Sequence, residues 1–386
     1  MSFIINIATA LPQNRYDQHE LSEFYSNSTD DIGVKRKMKI LTNKSGISTR
    51  YSVLKDYGET MENYTFFPKN KQLLPIPSLT QRMTIFRKEA LQLSINAIKN
   101  LPDFEGNKHQ ITHIITVTCT GLFAPGLDIE LIQHLDLQPT THRSSVNFLG
   151  CNAAIIALKQ AHDICNSQKN AHVLIVCTEL CTLHFQNIYT DDYLLSNVLF
   201  ADGSAAVLVS SNPSRGPLSI NAKITDFNSF CIPDSRHEMA WQLSETGFIM
   251  NLTSYVADLI KDNIKQMLSN INLDTNAIDY WAIHPGGKKI VENFGTALNL
   301  LPTQLKESYE ILNDYGNMSS PTVLFVLKKV LETIKLNGEL NGELIQSYNF
   351  NKLSNELNKP IKSPKKIFAA AFGPGLTVET MQLEYA

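Results

Sequence analysis

The sequence predicts an α/β fold built as two halves, and three features predict it. Short apolar runs of strand length alternate with longer stretches of helical composition. A turn-rich link at residues 213–217, Pro-Ser-Arg-Gly-Pro, interrupts that alternation, which then begins again. The length fits as well, since 386 residues make two or three core-sized units at roughly 150 residues each. One half is expected at 1–212 and the other at 218–386.

Residues 1–10 are apolar but lack the basic segment of a secretory leader, and Asn6 breaks the run, so they read as a first strand. Residues 111–119 and 145–149 read as buried strands. The stretch 152–161 is rich in Ala, Ile and Leu and switches to helix. Strands are expected again at 172–177 and 205–210. Beyond the link the pattern gives a strand at 280–283, a helix over 322–334, and paired strands at 367–372 and 376–383. The segment 336–366 differs in kind. It is polar, rich in Asn and Lys, and repeats Leu-Asn-Gly-Glu-Leu at 336–340 and 340–344, so it reads as an inserted surface loop, with partner docking as its functional alternative.

Composition removes several classes of function. Thirty-four Lys+Arg against 37 Asp+Glu leave a formal charge of −3 with no charged tail, which argues against binding nucleic acid or a membrane surface through bulk charge. No apolar stretch approaches the roughly 18 residues of a membrane span. The six cysteines are spread without disulfide-rich spacing, and Cys177 and Cys181 have no second pair to complete a zinc site. A reducing, cytoplasmic location follows as the expectation, with no bound metal.

Three residues stand out as chemistry. Cys151 follows a strand and opens a helix, where free backbone N–H groups and the positive helix end favour a thiolate. Alone, it fits better the commoner fate of a lone cysteine, a buried side chain acting as a small hydrophobe. His284 closes an apolar strand and precedes Pro-Gly-Gly, which suits a side chain aimed into a cleft but also a satisfied core histidine. Asn317 precedes a helix, where an N-cap or turn role is the ordinary one. Together, a thiol nucleophile, an imidazole and an amide donor can cleave a thioester and stabilise an oxyanion or enolate.

The segments around Cys151, His284 and Asn317 resemble the Cys-His-Asn motifs of type III polyketide synthases, the chalcone- and stilbene-synthase-like family. Further matches are Lys44-Ser45-Gly46-Ile47 through Arg50-Tyr51, the run 120–128, the run 198–206, Tyr315-Gly316-Asn317-Met318-Ser319-Ser320, and Phe372-Gly373-Pro374-Gly375-Leu376-Thr377. The resemblance spans all but the polar insertion. It implies a thiolase fold, two similar halves layered αβαβα with the site between them. It also implies a homodimer that uses malonyl-CoA and acyl-CoA as substrates, without cofactor or metal.

Carried across residue by residue, the resemblance makes Cys151 the nucleophile, with His284 and Asn317 as the oxyanion hole. An imidazolium at His284 would hold Cys151 as thiolate. Phe200 matches one gatekeeping phenylalanine, while the second gate position is Met250, a softer and more flexible side chain. Cys119, Thr120, Cys181 and His184 fall where the family varies its cavity lining, and Gly373 and Pro374 belong to the substrate-side loop. Ala124 matches the residue that reaches into the partner subunit, where methionine is usual. Its small size leaves room for a longer acyl chain. Lys44 and Arg50 match the basic patch for CoA phosphates, with Lys288 and Lys289 near the same mouth or else ordinary surface lysines. Ala371 replaces a glycine, a departure that nothing here explains.

The reading that follows is an iterative, decarboxylative acyltransferase, with fatty acyl starters giving alkylpyrones or alkylresorcinols. A ketoacyl synthase of the KAS III type, drawing on an acyl carrier protein, shares fold and triad. A non-catalytic acyl-CoA-binding scaffold is the reading from a different class.

Overall fold

Side-chain alternation along the strands sets how the layers stack. In strand His172–Leu180, Val173, Ile175 and Cys177 face one core while Leu174 and Val176 face another. In strand Lys365–Gly373, Ile367, Ala369 and Ala371 join the first of these cores, and Phe368, Ala370 and Phe372 face a third. Every one of these residues is buried, so both strands are covered on two faces, as expected of strands that read as continuous apolar runs.

The computed structural model describes residues 1–385 apart from 217, 254 and 349–362, and the side chains of 338–348 are also outside the description. One mixed sheet of nine strands runs in the order Tyr280–Ile283, Lys365–Gly373, Thr377–Tyr385, Ala222–Cys231, Ser2–Ala10, Asp202–Ser210, His172–Leu180, His113–Thr118, His142–Asn147. The first four strands come from the second half of the chain and the last five from the first half. The halves join where Ser2, Phe3 and Ile4 pair antiparallel with Ile224, Lys223 and Ala222.

Between the two groups of strands lie helices Ala153–Ser167 and Thr322–Tyr348, which share a core with strands of both halves. Outside the first half pack helices such as Leu79–Lys99, through Phe86, Ala90, Leu93 and Ala97. Outside the second half pack Val256–Asn270 and Lys288–Leu298. The result is the αβαβα layering of a thiolase fold. The central helix Ala153–Ser167 buries Ala153, Ala154, Ala157 and Ala161, small residues that let it approach the strands closely.

One expectation is corrected. Residues from 336 onward do not leave the body of the chain as a loop, because helix Thr322–Tyr348 continues through the Leu-Asn-Gly-Glu-Leu repeat. Extending an existing helix needs no new nucleus, and Leu and Glu propagate it despite glycines that each cost about 1 kcal/mol. At the far end of the segment, Lys365 and Lys366 open a strand. The rest of the expected insertion, 349–362, lies outside the described residues.

Close packing in the central layer makes a prediction. Ala157→Leu forces extra methylenes between the two groups of strands and is expected to cost about 1–3 kcal/mol, read as a lower urea midpoint at unchanged slope.

Candidate active site

Two helix N-termini meet at the site. Strand His142–Asn147 ends, Phe148 takes a left-handed conformation (φ 60°), and a short 3-10 turn, Gly150–Asn152, carries Cys151 into helix Ala153–Ser167. Gly150 has φ +81°, and a Cβ there would lie 2.3 Å from Pro374 Cδ. A Cβ on Gly373 would lie 2.4 Å from Asn152 Oδ1. Gly373 and Pro374 therefore brace the turn that carries Cys151.

From the other half, Asn317-Met318-Ser319-Ser320 leads into helix Thr322–Tyr348. Asn317 is locked to the first half by its backbone, donating to Leu199 O and accepting from Ala201 N, both at 2.9 Å. Its amide oxygen accepts from Ser319 N at 2.8 Å, and its Nδ2 donates to Gly286 O at 3.1 Å. One amide N–H remains to serve as a donor. Ser319 adopts φ 60°, strained for a non-glycine residue, and sets its Oγ 3.5 Å from Cys151 Sγ and 3.4 Å from Cys119 Sγ.

His284 ends strand Tyr280–Ile283 as expected and is buried. Neither ring nitrogen has a hydrogen-bond partner among the described residues. Loss of hydration lowers its pKa to about 3, so the ring is neutral. Burial likewise pushes the Cys151 thiol up to about 11, outweighing hydrogen bonds from Ser319 and Asn317 that act the other way. Both shifts run against the expected thiolate–imidazolium pair: the helix end is in place, but desolvation is the larger effect and favours a neutral thiol and a neutral imidazole.

A buried carboxylate escaped the sequence reading. Glu179 is wholly inaccessible and receives Thr120 Oγ1 at 2.6 Å, Ser320 Oγ at 2.7 Å, Cys119 N at 2.9 Å, Thr118 Oγ1 at 3.1 Å and Cys119 Sγ at 3.3 Å. Burial raises its pKa while these donors oppose the rise. A lone acidic residue inside the apolar run 173–180 was the available signal. Thr120 and Cys119 turn their side chains toward this carboxylate. Thr120 is accordingly a support for Glu179 and lines neither cavity.

Two voids lie on either side of the Leu199–Phe200 segment, whose backbone is bonded to Asn317. On one side is a groove of about 560 Å³ lined by apolar Leu195, Leu199, Leu252 and Ile290, with Lys44, Lys288 and Lys289 among its walls. Lys289 pairs with Asp258 at 2.8 Å and Lys288 with Glu292 at 3.7 Å, whereas Lys44 has no ion pair among the described residues. On the other side is a narrow cavity of about 40 Å³ whose walls include Phe200, Met250, Cys181, His184, Trp241 and Tyr25. Leu199 faces the groove and Phe200 the cavity, so the segment bonded to Asn317 divides the two. His184 is held neutral, its pKa lowered by burial to about 3, with Nδ1 accepting from Phe248 N at 3.0 Å and the ring stacked on Phe248 at 4.4 Å. Ala124 is exposed.

Arg50 corrects another expectation. It is 1% exposed, and its guanidinium donates to Gln18 Oε1 at 2.7 Å, Asn197 O at 2.8 Å and Phe200 O at 2.7 Å. Such an arginine tethers the gate segment and has no face left for a phosphate. Arg50→Met is therefore expected to cost about 3 kcal/mol of stability, because it strands buried acceptors. Lys44→Ala should instead leave the urea midpoint nearly unchanged and raise the KM for CoA thioesters. A second measurement tests the neutral thiol. Inactivation by iodoacetamide should accelerate about tenfold per pH unit from pH 7 to 9, whereas a rate flat over that range would indicate a preformed thiolate.

Comparison with known proteins agrees with this geometry. Residues 1–213 match the model for the N-terminal domain of chalcone and stilbene synthases, and residues 225–349 match the C-terminal domain. "Probable polyketide synthase 1" of Dictyostelium discoideum is 31% identical over 337 residues, 84% of this chain and 10% of that protein, so the chain spans about a tenth of that relative's length. Among solved structures, PKS-I of the brown alga Ectocarpus siliculosus superposes with a TM-score of 0.86 at 25% identity, covering 100% of this chain and 98% of that one. The C-terminal type III polyketide synthase domain of Steely1, a type I/III hybrid from Dictyostelium, gives 0.82 at 26% identity, with coverage of 100% and 99%. The Gly150–Asn152 turn and the turn at 317–320 meet between two thiolase-like halves, and the match of both domain models places the chain in the chalcone and stilbene synthase family, the type III polyketide synthases.

Proposed function

We propose that this chain takes an acyl group from CoA onto Cys151 and extends it repeatedly by decarboxylative condensation with malonyl-CoA, then releases a cyclised product. The observation that carries the reading is that Cys151, His284 and Asn317 are all buried beside the segment that separates a groove with a lysine at its wall from a narrow cavity. The groove suits the pantetheine arm, apolar along its length, with Lys44 available to a phosphate.

The neutral resting pair is consistent with each step. As the Cys151 sulfur attacks the starter thioester, its proton passes to the unpartnered imidazole of His284, and the CoA thiolate leaves. When malonyl-CoA loses carbon dioxide, the bonding electrons move onto the thioester oxygen. A ring N–H of His284 and the remaining N–H of Asn317 are donors suited to that charge, in a site from which water is excluded. The enolate carbon then attacks the acyl–Cys151 thioester, and the sulfur departs ready for the next cycle. Decarboxylation supplies the carbanion, so no strong base is required.

Ala124 and Met250 support fatty acyl starters, giving alkylpyrones or alkylresorcinols. The aromatic lining sets a condition on that reading, because a cavity of about 40 Å³ holds little more than a water molecule, and an alkyl tail must displace or bypass it. The exposed edge strand His142–Asn147, beside exposed Leu122, Leu149 and Ala124, supports a homodimer. A cytoplasmic location belongs to the same proposal. No helix among the described residues is long and apolar enough to cross a membrane.

The test is product mass after incubation with malonyl-CoA and a panel of acyl-CoA starters, with Cys151→Ala as control. Masses stepping by two or more acetate units, absent from the variant, are expected. Turnover of aromatic CoA esters with none of fatty acyl-CoA would remove the alkyl assignment. A single extension that depends on an acyl carrier protein would favour a KAS III activity.

A further inference from the structure

Cys119 is the reactive group that the condensation steps leave without a task. Its sulfur and that of Cys151 contact the same Ser319 Oγ, at 3.4 and 3.5 Å, so the two sulfurs can be no farther apart than those contacts laid end to end. Both residues are buried, in one enclosure, and the charge of either thiolate would oppose ionisation of the other. Their anchors differ. Cys119 follows strand His113–Thr118, and Cys151 sits in the turn Gly150–Asn152. Cys119 Sγ also donates to Glu179 Oε1 at 3.3 Å, which puts a proton acceptor on this thiol. Cys181 lines the narrow cavity and has no hydrogen bond to Ser319 among the described residues, although the charges of Cys119 and Cys151 also act on it.

We propose that Cys119 and Cys151 form a modification site: on exposure to a hydroperoxide, Cys119 acts as the resolving thiol for Cys151 and the pair closes to a reversible disulfide. In the first step the Cys151 sulfur attacks a peroxide oxygen, the O–O bond breaks, and the departing hydroxide takes the Cys151 proton and leaves as water, giving a sulfenic acid. In the second step Cys119 gives its proton to Glu179 as its sulfur attacks the Cys151 sulfur. The S–O bond breaks, and hydroxide takes the proton back from Glu179 as a second water. Two thiols lose two electrons, and hydrogen peroxide is reduced to two waters. Ser319 swings its hydroxyl out of the space between the sulfurs as they approach. The consequence is protective. A nucleophile that would otherwise proceed to the irreversible sulfinic acid is parked in a form that a dithiol restores.

The experiment uses the full chain, reduced, freed of reductant, and treated with hydrogen peroxide at pH 8.5, where the thiolate fraction is larger. Intact mass and unreduced peptide mapping should show loss of two hydrogens and a Cys119–Cys151 cross-link, and dithiothreitol should restore nearly all of the starting activity. In Cys119→Ser, Cys151 should instead gain oxygen atoms, and recovery, normalised to that variant's own starting activity, should fall to nearly none. Cys181→Ser should keep the cross-link. Gain of oxygen on Cys151 in the unaltered chain without the cross-link, or a cross-link to Cys181, would overturn the proposal. The mass readings need no substrate, so they stand or fall separately from the condensation activity.

Discussion

The structure depends on one constraint, the sharing of a single central helical layer by the two halves of one nine-stranded sheet. Helices Ala153–Ser167 and Thr322–Tyr348 are both packed on strands from both halves, and both point their N-termini at one place. Cys151 precedes the first helix and Asn317 to Ser320 precede the second. The parallel pairing of the Leu199–Ala201 backbone with Asn317 holds the two turns in register. Small side chains make this possible: alanines let the first helix lie close to the strands, and Gly150 lets Pro374 press on the turn that carries the nucleophile.

Burying a catalytic group between two halves has an electrostatic consequence. Water leaves, so charged forms lose hydration, and both the thiol and the imidazole are driven toward neutrality. The same dryness strengthens any hydrogen bond offered to a charge that develops during reaction, and the donors are already in place. A site that rests uncharged and meets charge only in the transition state spends little reorganisation when it reacts. Glu179 feels the same desolvation, which raises its pKa, and five donors from Cys119, Thr118, Thr120 and Ser320 hold it in the interior, tying the strand His113–Thr118 to the turn at 317–320 of the other half.

The gate is built from the same economy of contacts. Arg50 does not face solvent; it clamps the carbonyls of Asn197 and Phe200, and so holds the segment that separates groove from cavity. Phe200 and Met250 then look into the narrow side, while Leu199 and Lys44 belong to the open one. Residues that share a sequence motif, such as Lys44 and Arg50, thus divide into one that can meet a ligand and one that supports the wall behind it.

Much of this was legible without coordinates. Apolar runs at 172–177, 280–283 and 367–372 are strands because residues buried on both faces of a sheet leave no polar alternation to hide them. Cys151, His284 and Asn317 were visible because each stands at the end of an apolar element, where a chain turns and can present a side chain. The repeat after 336 misled because its composition is polar, while helix continuation depends on the packed turns before it, which composition does not record.

The sequence by itself determined the kinds of chemistry available, the order of the elements and the three candidate groups, since these follow from residue type, local periodicity and motif. Only the tertiary structure decided their protonation, the burial of Arg50, the turning of Thr120 toward Glu179, and the meeting of Cys119 with Cys151 across Ser319. Each of those depends on how much water remains around a group and on which distant segment packs against it, and both are set when the two halves close on their shared helices.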